Sequence, residues 1–183
     1  MNTPSPESQP APTAEQAAQM LTAAIGQIQY ARDYTLQLLD ETPTETWFDI
    51  PSGLPSNIAW QVGHLTVSQY GLLLFRLRGR QDEDLELIPS RFRKAYSRGS
   101  TPSSDIDKQL SASELRDRMD RVHAIAMKTL VEISVETLLE SEEMPYAVYP
   151  NKLGAILFCP LHEQIHAGQI GLIRRALGLA PVR

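Results

Sequence analysis

His162, Glu163 and His166 fall within "PLHEQIHAGQIGLIRRALG" near the end of the chain. Histidines at i and i+4 project from one face of a helix at a spacing that suits a single metal ion. The letters also spell the HExxH of zinc peptidases, in which the glutamate acts as general base. That reading needs a third ligand, which the better known arrangements place after the motif. The seventeen residues following His166 hold no His, Glu, Asp or Cys, and Leu172 stands where HExxHxxGxxH requires histidine. A third ligand must therefore come from upstream, where the remaining histidines are His64 and His123.

His64 lies in "NIAWQVGHLTVSQYG", on a stripe of Asn57, Gln61, His64, Ser68 and Gly71 or Phe75. The stripe is unusually polar for a helix otherwise so apolar, and a polar stripe turned inward is what a buried metal pocket requires. His123 follows Val122 beside an apolar face and reads as a structural histidine, with a fourth ligand or an acid/base group as the alternative. Gln169 falls one turn beyond His166, where it can hold a ligand ring from outside the metal's own ligand set. Glu163 is the candidate general acid/base. Cys159 reads as a small core residue rather than a nucleophile or ligand. The run "RFRKAYSR" reads as a solvated loop, with an anion clasp as the lesser reading.

These residues need elements to carry them. Residues 1–13, with four prolines and hardly any apolar side chain, are expected to form a disordered tail before a domain spanning 14–183. From Ala14 to about Asp40, Leu21, Ala24, Ile25, Ile28, Ala31, Leu38 and Leu39 recur at three- and four-residue steps, which predicts helix one. A Pro- and Gly-punctuated segment with Trp47, Phe48 and Ile50 follows as a loop that packs down. Ser56 is the expected N-cap of helix two, which runs from about Asn57 to Leu77 on Ile58, Val62, Leu65, Leu72 and Phe75 and stops at Gly79.

The connection from Arg80 to about Leu110 is too long for a tight hairpin. A capping box at Ser111 or Ser113 with Glu114 opens helix three on Leu115, Met119, Val122, Ala126 and Ile133. After the loop "LLESEEMPYAVYPNK", helix four spans about Leu153 to Leu177, closed by Gly178 and interrupted by Pro160, which should cost it a hydrogen bond. No segment shows convincing β alternation. The pattern predicts an all-α four-helix bundle with one long crossover between helices two and three.

Composition sets outer limits. In 183 residues, no apolar run approaches the roughly 20 residues of a membrane helix. The single Cys159 cannot form an internal disulfide, and no signal segment is evident, so a cytoplasmic location is expected. A net charge of -5 argues against nucleic acid as a partner.

Together, "SNIAWQVGHL" and "HEQIHAGQIGLIRRALG" resemble the DinB/YfiT-like family of metal-binding four-helix bundles. The HxGQI segment is the more specific part of the likeness. The resemblance implies a divalent metal, zinc or nickel with iron as a further candidate, held by His64 from helix two and by His162 and His166 from helix four. It also implies a metalloenzyme of the thiol-dependent transferase kind, acting on a small molecule with a low-molecular-weight thiol, with a homodimer as a further expectation. The alternatives are a hydrolase in which water replaces the thiol and Glu163 shuttles its proton, and a non-enzymatic metal-binding stress protein.

Overall fold

The computed structural model of the chain describes residues 11–144 and 147–182. Residues 1–10 of the expected tail lie outside them. Thr13, the last residue of that expected tail, caps α1, Ala14–Asp40, in a reciprocal capping box with Gln16. The second long helix begins as α2, Ile58–Tyr70, continues through a π turn at Gly71–Phe75, and ends as α3, Arg76–Arg78. Gly79 stops it at φ 73°, a left-handed conformation that favours glycine. The third long helix, α6, is Ala112–Glu132, opened by the capping box of Ser111 and Glu114. The fourth, α8, is Lys152–Ala176 and runs through Pro160.

Among the described residues, three short α-helices lie in the connections. Between the second and third long helices are α4, Asp84–Leu87, and α5, Ser90–Tyr96. Between α6 and α8 lies α7, Val135–Leu139. The described residues form no strand, only an isolated bridge between Ser141 and Asn151.

α1 packs chiefly on α8, and α2 on α6. Ile28, Leu38, Val62, Leu65, Leu115 and Met119 are fully or almost fully buried between them. Each such side chain contributes roughly 1.5–3 kcal/mol of transfer free energy. Arg174, at 2% exposure, ties the C-terminal ends of α1 and α8 together: it donates to the Leu38 carbonyl at 2.8 Å, to Thr42, and to the Ala180 carbonyl at 3.1 Å.

Four sequence expectations are corrected. The N-cap of α2 is Asn57, whose side chain accepts from the Trp60 amide at 2.9 Å, while the Ser56 hydroxyl instead accepts from Gln61 at 2.9 Å. Phe75 does not support the core and is 52% exposed. The π turn at Gly71–Phe75 adds a residue to the helical repeat, so the spacing that buries Val62 and Leu65 no longer applies beyond Tyr70. "RFRKAYSR" is not a solvated loop, because Phe92 and Tyr96 anchor α5 in the core. Part of "LLESEEMPYAVYPNK" is also helical, in α7, although its residues 145 and 146 lie outside the described set.

Candidate metal centre

Helical phase places the histidines. His162 and His166 come from adjacent turns of α8, and His64 comes from the middle of α2. One ring nitrogen from each lies within 4.8 Å of those of the other two, which is the only such His/Cys/Asp/Glu grouping found among the described residues. The ring centroids are 5.3 Å apart for His64 and His162, 4.6 Å for His64 and His166, and 4.5 Å for His162 and His166. His64 and His166 are buried, and His162 is half-buried.

The donor set fits a metal in a further respect. His64 Nδ1 lies 2.8 Å from the Tyr96 carbonyl, and His166 Nδ1 lies 2.6 Å from Gln61 Oε1. A carbonyl oxygen only accepts, so each Nδ1 carries the proton and each Nε2 bears the lone pair a cation would use; that of His64 meets the Ser68 hydroxyl at 3.4 Å, a long contact that an ion would replace. Gln61 is itself oriented, because its amide nitrogen donates to Ser56 at 2.9 Å. Trp60 lies flat on the His64 ring, with centroids 4.7 Å apart and planes inclined by 6°. Gln169 reaches the His166 ring from the next turn and acts to raise its pKa.

The protein spends effort to bring Tyr96 to this place. Asn57 donates to the Phe48 carbonyl at 3.0 Å and to the Ser103 carbonyl at 2.8 Å, tying the loop before α2 and the linker beyond α5 to one helix terminus. Trp60 Nε1 donates to Ser100 at 2.9 Å. Gly63 lets α5 approach, because a Cβ there would overlap the Tyr96 ring.

Burial keeps all three imidazoles neutral. It lowers His64 despite the bond to Tyr96; it holds His162 at about 4, with the His64 charge adding to the effect; and it holds His166 at about 3, with both other rings adding. In the metal-free chain, the unfolded histidines titrate near 6.5 while the folded ones resist protonation. The unfolded state therefore takes up protons first. Stability is complete above about pH 6.5 and is lost as pH falls toward 4 and then 3, which urea midpoints measured across that window will show.

Glu163 and His123 belong to a different assembly. Glu163, 2% exposed, accepts from Arg32 Nε at 2.7 Å through one carboxylate oxygen and from Arg32 Nη2 at 3.2 Å through the other. Arg32 also donates to Gln69 Oε1 at 3.0 Å and to the Met119 carbonyl at 3.2 Å. The Gln69 amide nitrogen donates to His123 Nδ1 at 3.0 Å, which leaves the imidazole proton on Nε2, facing Gln29 Oε1 at 3.3 Å. Both nitrogens of His123 are thus engaged away from the histidine cluster. The general-base expectation for Glu163 meets a carboxylate whose two oxygens already serve Arg32. Cys159 is 3% exposed and burial pushes its thiol pKa up, which leaves it a core residue.

Sequence reasoning placed Gln61 on the inward stripe without giving it a role, and it missed the Tyr96 carbonyl altogether. The i, i+4 pair Phe92 and Tyr96 was the available sign that this segment packs inward. Gln61→Leu keeps the shape and removes the acceptor for His166 Nδ1–H. It is expected to weaken metal binding about 10- to 100-fold, as loss of an orienting partner typically does, and competition with a chromogenic chelator will measure this.

The sequence profile of the DinB superfamily matches residues 27–170. No curated protein matches the chain.

Proposed function

The chain belongs to the DinB superfamily, and from that premise we propose that it is a metal-dependent enzyme that joins a low-molecular-weight thiol to an electrophile. His64, His162 and His166 hold zinc or nickel. The observation that carries the reading is the fixed tautomer of His64 and His166, whose Nδ1–H groups are taken by Tyr96 and Gln61. A divalent ion held by three neutral ligands keeps its full charge and draws the pKa of a thiol or water placed on it toward neutrality.

The chain's own residues perform the remaining work. Tyr96 and Gln61 hold the protons of two rings on Nδ1, and Trp60 covers one face of His64. A pocket of about 410 Å³ opens beside His166 and gives the electrophile its approach. The thiol releases its proton to solvent, its sulfur forms the new bond, and the leaving group departs with the broken bond's electron pair.

The pairing of Glu163 with Arg32 supports the thiol reading over hydrolysis. Water attacks efficiently when a base removes its proton, whereas a thiol already ionised near neutral pH needs no base at hand. Glu163 is then a positioning group that fixes α8 where the ligands emerge. Elemental analysis of untagged protein should find a divalent metal. Assays with several cellular thiols and electrophiles, run beside esterase and amidase panels, should show metal-dependent turnover in the thiol series. Turnover in the esterase or amidase panels alone reverses the order of the two chemistries. Metal that raises Tm without supporting turnover on any of them replaces the enzyme with a metal-binding protein.

A further inference from the structure

The pocket beside His166 differs chemically from the rest of the surface. The chain carries 17 Lys and Arg and 22 Asp and Glu residues, yet none of them lines this space. Its apolar walls are Leu54, Pro55, Trp60, Pro102, Leu172 and Ile173. Its polar groups are neutral and mostly occupied. Gln61 spans Ser56 and His166, Gln169 reaches the His166 ring, and the Ser100 oxygen accepts the Trp60 indole N–H. The Ser100 hydroxyl proton remains available to donate. Arg91 and Lys94 line a second depression that shares only Trp60 and Ser100 with the first.

We propose that this pocket binds the uncharged, apolar body of the electrophile, and that its walls reject ionised analogues of the same shape. The inference rests on the reading that His64, His162 and His166 form a reaction centre. An apolar body displaces water from Leu54, Trp60, Leu172 and Ile173, with the hydrophobic gain proportional to the area covered. A sulfonate or ammonium in the same place loses hydration and finds no opposite charge in the lining. The Ser100 hydroxyl suits a carbonyl, ether or halogen acceptor on the ligand. The substrate class is therefore a neutral, largely hydrocarbon electrophile carrying at most one or two acceptors, reached by the thiol from the histidine side.

A matched pair of fluorescent probes tests this: N-phenyl-1-naphthylamine, which is neutral, and 8-anilinonaphthalene-1-sulfonate, which carries the same rings with an added anion. Untagged, chelator-treated protein, in which no ion beside His166 attracts the sulfonate, should bind the neutral probe at least about tenfold more tightly, because an ionised group without a partner loses its hydration there. Leu172 is 46% exposed at the rim, so it accepts a charge without disturbing the core. Leu172→Arg should narrow the preference to within about threefold by supplying the sulfonate with a partner. Val131→Arg, at a site 76% exposed on another helix, should leave the preference unchanged. Equal or tighter binding of the sulfonate by the parent protein overturns the proposal, and so does a preference that ignores Leu172→Arg. Absence of metal on elemental analysis defeats the functional reading instead, because the probe ratio reports the pocket walls.

Discussion

Arg32→Ala is expected to destabilise the protein by about 3–5 kcal/mol, the usual consequence of removing one partner from a buried ion pair. Arg32 is 1% exposed and Glu163 is 2% exposed, so water cannot take over the hydrogen bonds that the guanidinium supplies. Four acceptors lose their donor at once: both oxygens of Glu163, the Gln69 amide oxygen and the Met119 carbonyl. Glu163→Ala should cost a similar amount, because it strands the cation. The double replacement Arg32→Met and Glu163→Met removes both charges and roughly keeps their volume. It should lie within about 1–2 kcal/mol of the parent, since replacing a whole buried pair with apolar groups is often close to neutral. Urea unfolding of the three variants gives the comparison. Single variants that differ from the parent by less than about 1 kcal/mol would mean that the pair is solvated in solution.

His64→Ala, His162→Ala and His166→Ala should each reduce metal affinity by more than about 100-fold, beyond the 10- to 100-fold expected when only an orienting partner is lost. The reasoning is geometric. Three nitrogens lie within 4.8 Å of one another, and among the described residues no Cys, Asp or Glu joins them in the grouping to substitute for a lost imidazole. His123→Ala serves as the control: its ring is tied to Gln69 and Gln29, and its replacement should leave metal affinity close to that of the parent. Chelator competition on variants of unchanged helical content separates loss of ligation from loss of fold. Parent-like affinity in His64→Ala would remove α2 from the site.

Local signals read well in this chain. The three- and four-residue apolar steps of α1 and the Ser111–Glu114 capping box name their helices, because amphipathic phase and capping depend on residues a few positions apart. The i, i+4 spacing of His162 and His166 reads for the same reason. What escapes is long-range. Arg32 and Glu163 are 131 residues apart in sequence, so nothing near Glu163 announces that its carboxylate is engaged. The Tyr96 carbonyl is a backbone group that every residue possesses, and only packing selects it to hold His64. The π turn leaves no residue signature strong enough to foretell that Phe75 turns to solvent. Charges dominated the reading of "RFRKAYSR" and hid the two aromatic anchors spaced one turn apart.

The flat contact between Trp60 and His64 has a practical corollary. An indole lying against a coordinating ring senses any ion that ring takes up, because the ion alters the field around the chromophore and opens quenching routes when it is nickel. Trp47, sealed at 2% exposure, supplies a steady background emission. The molecule thus carries a built-in optical gauge of its own occupancy. Titrating chelator-treated protein while following tryptophan emission should trace loading directly, and the signal should vanish in Trp60→Phe.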